Sequence, residues 1–320
     1  NDIKTIKWKA LISSEPYYFF IEKNLTGEHD YNNFLSVESI FLEYNAGTAT
    51  GKDEILIDFQ KESLIRKLST ANKETFYLLM KSKSTKEDLI TKWYQQLKGK
   101  DIKEQIKTYA YRLFDNRFVI YNDKILQRAR KSIMDHMLNE NIAIIITKQL
   151  ASLPFKHCFV TKEIGDRCLI SLKTKELGYF FPLYLYSDSK GDDLFSKNEE
   201  SKKSNIKPEI LKTLSETYKE SLTSELILFY IYAILYSNTY RTKYAEFLKI
   251  DFPKIPFTKN YELFNKMAEY GKWLVDLHLL KNPPLLRGET GGQTIAKFQG
   301  KGDNKIVKIK YEIPNVYINQ

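Results

Sequence analysis

"YAYRLFDNRFVIY", Tyr109 to Tyr121, sets two arginines five residues apart around an Asp-Asn pair and inside a run of aromatics. Alternating apolar residues on either side of a turn-forming pair predict a β-hairpin. With Asp115 and Asn116 as a two-residue turn, Phe114 faces Arg117, Leu113 faces Phe118 and Arg112 faces Val119. Tyr109, Tyr111, Leu113, Phe118 and Ile120 then share an inward apolar face, while Arg112, Phe114, Arg117, Val119 and Tyr121 share the other. Two guanidiniums interleaved with aromatics suit phosphate or base contact. The competing reading is a local pair between Asp115 and an arginine on an ordinary sheet. Downstream, Arg128, Arg130 and Lys131 open an amphipathic helix expected over 125–138, "ILQRARKSIMDHML", and extend the positive surface.

The wider composition permits this reading without demanding it. The chain has 320 residues, 42% hydrophobic and 28% charged, which is globular and long enough for one large domain or two ordinary ones. Fifty basic residues against 40 acidic ones leave a net charge of +10, a moderate bias that suits a polyanionic partner. Cys158 and Cys168 are the only cysteines. That count excludes a disulfide framework, disfavours a metal site and points to a cytoplasmic protein. No signal peptide pattern opens the chain. Its most apolar run, "LILFYIYAILY" at Leu226 to Tyr236, is too short to span a bilayer and reads as a buried helix. The absence of a starting Met suggests a piece of something longer.

Four segments follow from patterning. Residues 1–100 begin with strand-like runs, "PYYFFIEK" (16–23) and "DEILIDF" (53–59), and continue with helices near 61–68 and 84–97. Ser84 and Glu87 form a capping box for the second helix, and Gly99 is its stop. Residues 101–206 are β-rich, with strands expected at "NIAIIIT", "HCFVT", "RCLIS" and "GYFFPLYLY" and a polar boundary over 187–205. Residues 207–281 carry helical patterns at 207–219, 223–248 and 260–280. The prolines of "IDFPKIPFTKN" join the last two into an expected antiparallel hairpin. Residues 282–320 return to short strands. The fold class is therefore α+β: a mixed β-sheet domain with a long helical hairpin and a β-rich tail.

Motifs for chemistry are weak. "NAGTATGK" (45–52) lacks the spacing of a phosphate-binding loop, because Gly47 and Gly51 are four apart and Asp53 follows Lys52. "NPPLL" (282–286) lacks the aromatic on which an amino-methyltransferase stacks a flipped base, and reads as a proline stop to a helix. The histidines are scattered, Asp135-His136 reads as a helix-surface pair, and "DSKGDD" lacks calcium-loop spacing. No complete catalytic constellation emerges.

"YRLFDNRFVIYNDKILQRARKSIMDHML" (111–138) resembles the Y-R-P-F-D-x-R-x-x-Y-Y … R-x-R-x-x-x-M-x-H-M stretch of single-polypeptide type I, or type ISP, restriction-modification enzymes, with Leu113 in place of the proline. "PYYFF", "GTATGKDEILIDF", "FVTKEIGDRCLIS", "GYFFPLYLY" and "YAEFLKIDFPKIPF" resemble further landmarks of that family in the same order. Gly47-x-x-Thr50-Gly51 is similar to the junction between methylase and recognition parts in related combined enzymes. The resemblance implies a C-terminal target-recognition domain acting on double-stranded DNA. The parent chain would supply nuclease, ATPase and adenine-methylase parts, with S-adenosylmethionine, ATP and Mg as its cofactors and none held by this segment. It also implies that the shared Arg pattern anchors phosphates or supports the fold, since members that read different sequences carry it. Arg112, Arg117, Arg128, Arg130, Lys131, Lys148 and Arg167 are the candidate DNA contacts, and loops 148–167 and 187–205 the candidate base readers. Two other readings compete: a complete methyltransferase, which cofactor binding would single out, and a helical scaffold for protein contacts through 207–280, which salt-sensitive duplex binding would exclude.

Overall fold

The computed structural model describes residues 5–281 except 9, 12–17, 19–22, 24, 82–86, 99–101, 152 and 188–201, and in the tail residues 309–312 and 315–318. Most of 16–23, the Ser84 cap, Gly99, most of the 187–205 run and "NPPLL" lie outside the described residues. The chain forms two compact units, Asn1–Lys281 and Asn282–Gln320.

Strand β1 (Leu35–Ser36) precedes β2 (Asn45–Ala46) and β3 (Ile57–Asp58). The hairpin is β4 (Ile106–Arg112) and β5 (Asp115–Ile120). Then come β6 (Ala143–Thr147), β7 (Cys158–Thr161), β8 (Ile164–Gly165), β9 (Gly178–Pro182), β10 (Tyr184–Tyr186), β11 (Lys202–Ser204) and β12 (Lys254–Ile255). Two four-stranded sheets result, ordered β2-β9-β6-β7 and β3-β5-β4-β8, alongside two-stranded pairs β1-β12 and β10-β11. In the tail, β13 (Ile309–Glu312) and β14 (Asn315–Ile318) form an antiparallel pair.

The apolar run of β6 is explained by its position. Successive strand residues point to opposite faces, so a strand buried on both sides is apolar throughout. Ile144 and Ile146 enter one core, with Phe181, Val160 and the helices Ser224–Tyr236 and Tyr261–His278. Ala143 and Ile145 enter a second core, with Phe180, Phe159, the hairpin and the helix Lys61–Thr70. All four side chains are fully buried. One strand thus walls off two cores.

The two long helices pack together, but not as an antiparallel hairpin. Tyr230 stacks on Phe264 at 4.8 Å and Tyr236 lies 5.0 Å from His278, so contacts ascend together and the helices run the same way. The expected single helix 223–248 ends at Tyr236. Ser237 then caps a new helix, Asn238–Lys243, by accepting from Tyr240 N at 3.3 Å. That helix, a further turn (Ala245–Leu248) and β12 carry the chain back to the start of the second long helix.

Other sequence expectations also give way to tertiary pairing. A helix at Lys73–Met80 lies outside the patterns expected of the sequence, although Asn72 caps it by accepting from Thr75 N at 2.7 Å. "DEILIDF" is a helical turn (Asp53–Leu56) before the two residues of β3, because Lys52 O accepts from both Ile55 N and Leu56 N. "RCLIS" is a turn rather than a strand: the Asp166 side chain accepts from Cys168 N at 2.6 Å, a local bond that competes with a ladder. The helix expected over 125–138 shrinks to Lys131–Met134 and a 3-10 turn, Asp135–Leu138. Its first half is captured by the 47–51 loop. Among the described residues, no helix is long and apolar enough to cross a membrane.

Candidate nucleic-acid interface

The hairpin turns two residues earlier than the Asp-Asn pair suggested. Tyr109 pairs with Arg117, Ala110 with Asn116 and Arg112 with Asp115, which leaves Leu113 and Phe114 as the turn and Tyr111 as a bulge. A bulge shifts side-chain alternation by one. Tyr111 therefore leaves the expected inward face and joins the arginines, and Leu113, in the turn, is exposed. On unbulged β5, which β3 and β4 flank, Val119 and Ile120 are both fully buried. Tyr109 remains inward, fully buried.

Tyr111 is the centre of a four-layer stack. The Arg112 guanidinium sits 3.8 Å from one ring face, and Arg117 lies 4.1 Å from the ring and 4.0 Å from Phe59. Each cation has its own carboxylate. Arg117 makes a two-pronged contact with Asp115, Nε to Oδ1 at 3.0 Å and Nη2 to Oδ2 at 2.7 Å. Arg112 Nη1 lies 3.2 Å from Asp166 Oδ1. Asp166 also accepts from the buried Tyr109 hydroxyl at 2.9 Å. Asp53 accepts from the Tyr111 hydroxyl at 3.0 Å and from Thr50. Burial, together with the Asp166 and Asp53 carboxylates, pushes the Tyr109 hydroxyl well up, so it stays a donor. Burial also raises the Asp166 carboxyl, against the pull of Cys168 N, Arg112 and Tyr109.

The 47–51 loop is the hub that gathers the remaining arginines. Ala49 exchanges two backbone bonds with Arg128, both 3.0 Å, and Gln127 N donates to Thr50 O at 3.3 Å. On the other side Arg167 N donates to Thr48 O at 2.9 Å, and Thr48 N to Gly165 O at 2.8 Å. Glycine is required at 47: a Cβ there would meet Arg167 N at 2.6 Å and the Phe180 ring at 2.7 Å. Arg128 and Arg130 thus precede the short helix instead of opening it, with Arg130 in the left-handed region at φ 56.

The candidate contacts divide by their partners. Arg128 is exposed, and among the described residues no carboxylate pairs with it; Arg130 and Arg167 are half-buried with no carboxylate partner there either. Lys131 pairs with Asp135 at 2.6 Å. Lys148 lies between Glu38 at 3.9 Å and Asp251 at 3.4 Å, near the Phe252 ring. Asp166, Asp53 and Phe59 escaped sequence reasoning because their partners in the hairpin lie between 54 and 58 positions away in the chain.

Glu176 anchors the loop after β6. Its fully buried carboxylate accepts from Ala151 N at 2.7 Å and from Ser171, and meets His157 Nε2 at 3.2 Å. Burial raises this carboxyl, but the Ser171 and Ala151 bonds and the His157 field outweigh it, and the net shift is downward. A lowered folded pKa means stabilisation that is present above the unfolded value and lost as pH falls through the folded one. Glu176→Gln is expected to lower the urea midpoint at pH 7. The gap between parent and variant should close as pH falls below the ordinary glutamate range. A gap independent of pH would contradict this.

Fold and site together define an α+β module in which a small-residue loop fixes arginine-bearing segments by backbone pairing. The chain belongs to the type ISP C-terminal specificity domain family, whose model matches residues 39–320. Three solved structures are similar over most of this chain. A cryo-EM DrdV–DNA complex has 22% identity and a TM-score of 0.64, covering 87% of this chain and 28% of that one. The ATP-dependent type ISP restriction-modification enzyme LlaBIII bound to DNA has 24% identity and a TM-score of 0.59, covering 78% and 17%. A nuclease-deletion mutant of the type ISP enzyme LlaGI with a DNA substrate mimic has 20% identity and a TM-score of 0.61, covering 87% and 26%. This chain spans less than a third of the length of each. No curated protein matches this chain.

Proposed function

We propose that this chain recognises a specific double-stranded DNA target as the specificity domain of a cytoplasmic type ISP restriction-modification enzyme. Family membership over 39–320 carries the reading, and the solved DrdV, LlaBIII and LlaGI structures were obtained with DNA or a DNA mimic. Adenine methylation, ATP hydrolysis and cleavage, with S-adenosylmethionine, ATP and Mg, belong to the remainder of the parent chain. There the domain grips the duplex while the methylase extrudes an adenine. Selection from a random-sequence duplex library by the chain, followed by sequencing, tests this. An enriched motif is expected; uniform recovery would refute it.

Within the domain, phosphate anchoring falls to the cations that no carboxylate among the described residues holds. Arg128, Arg130 and Arg167 stand on either side of the 47–51 hub, whereas Arg112 and Arg117 are neutralised by Asp166 and Asp115 and brace the hairpin. Lys131 and Lys148, each in a surface ion pair, contribute long-range attraction. Arg128→Gln is expected to weaken binding to all duplexes alike and to lower the slope of log affinity against log salt by roughly one unit. A base-reading arginine would instead relax preference at one position. Arg117→Gln should leave the salt slope unchanged. The reverse pattern in the two variants would return the phosphate role to the hairpin.

A further inference from the structure

The turn of the β4–β5 hairpin breaks a local rule that the adjacent sequence could have kept. Short hairpin loops favour Asn, Asp or Gly, because one or both turn residues take positive φ. Asp115 and Asn116 offer that chemistry, yet the register places both in β5 and leaves the turn to Leu113 and Phe114. Phe114 adopts φ 60, a left-handed conformation that costs a bulky residue about 1–2 kcal/mol.

Burial does not offset that cost. Leu113 is 42% exposed and Phe114 59% exposed. The Phe114 ring meets its neighbours edge-on, Phe159 at 5.1 Å and His278 at 6.3 Å. Directly behind this tip the strands are held stiffly. Arg112 and Arg117 are each fixed to a carboxylate and to the Tyr111 ring between them. A strained, exposed, apolar tip on a braced arm conflicts with local propensity at one point only, and such conflicts mark functional positions.

We infer that Leu113 and Phe114 form an apolar wedge that enters a base step of the bound duplex and unstacks it. Phe and Leu are among the side chains that DNA-binding proteins insert between base pairs, where they replace lost stacking with apolar contact. The internally neutralised arginines suit this role, because the arm then approaches the bases without being drawn to the backbone. The inference rests on the target-recognition reading. It goes beyond it in assigning a contact to the base stack and not to phosphate or to a base edge.

The test uses the 320-residue chain and a duplex carrying its selected motif, with 2-aminopurine placed at successive positions. Binding is expected to brighten the probe at one step. Phe114→Asn, which suits positive φ, should fold as stably as the parent, lose that brightening and bind roughly tenfold more weakly. Its salt slope should not change, since no phosphate contact is lost. A mismatch at the brightened step prepares the unstacking and should restore most of the variant's affinity. Leu113→Ala provides the same comparison should Phe114→Asn misfold. If no position brightens in the parental complex, or the folded variants keep both brightening and affinity, the wedge is wrong while target recognition stands. If no motif is enriched at all, target recognition itself fails, and the wedge with it.

Discussion

Gly271→Ala is expected to destabilise the protein by about 3 kcal/mol, against the roughly 1 kcal/mol of stabilisation that helix propensity alone would give. A Cβ at 271 would lie 1.8 Å from the carbonyl oxygen of Phe229 and 2.6 Å from its carbon. Both are backbone atoms, so no side chain can swing aside. The helices Ser224–Tyr236 and Tyr261–His278 would have to separate along a contact that includes the Tyr230–Phe264 stack and the buried Ala268 and Val275. Cores are packed at crystal-like density, so separation forfeits dispersion along the whole seam. Urea denaturation followed by circular dichroism checks the sign. The midpoint should fall with an unchanged slope; an unchanged or higher midpoint would mean that the two helices do not approach this closely.

Asp166→Ala is expected to cost about 3 kcal/mol, and Asp166→Asn much less. The alanine variant leaves the buried Tyr109 hydroxyl without its acceptor, Cys168 N without its turn bond and Arg112 without its carboxylate. Asparagine keeps one acceptor oxygen for Cys168 N and Arg112 and turns the other into an NH2 that can donate to the Tyr109 hydroxyl. Burial holds the Asp166 carboxyl above its ordinary value. A raised folded pKa means that this group's stabilisation is fully present below the unfolded pKa and is lost as pH rises through the folded value. Burial thus penalises the ionised carboxylate even as Arg112 pairs with it, and the amide escapes that penalty. Denaturation midpoints of both variants at pH 7, with Tyr109→Phe as a single-bond reference, decide the matter. Equal losses in Asp166→Ala and Asp166→Asn would show that charge, not acceptor geometry, holds the hairpin to the Asp166 turn.

Much of the chain was legible where one residue's environment depends on near neighbours. The apolar runs of β6, β7 and β9 read correctly as strands because burial on both faces makes them apolar up to the terminal Thr147 and Thr161. The helices Lys61–Thr70, Pro208–Tyr218 and Tyr261–His278 read correctly because their apolar residues recur at helical spacing. The hairpin itself was visible, but its turn was not. Asp115-Asn116 has the stronger turn chemistry, and only the bulge at Tyr111 and the pairing of Arg112 with Asp115 move the turn to Leu113-Phe114. Likewise "ILQRARKS" has a helical pattern, and the backbone of Ala49 and Thr50, nearly 80 residues away, takes up the bonds that such a helix would need.

By itself, then, the amino-acid sequence determined the α+β class, most of the elements and the family, because these follow from short-range periodicity and from motifs in a preserved order. The tertiary structure alone decided which arginines have a carboxylate partner among the described residues. Arg112, Arg117 and Arg128 are equivalent as letters, each a permanent cation. Whether such a cation is left for a phosphate depends on where the nearest carboxylates fold to. Asp166 lies 54 residues from Arg112 and reaches it through the parallel pairing of β4 with β8, a contact between segments distant in the chain that no local pattern encodes.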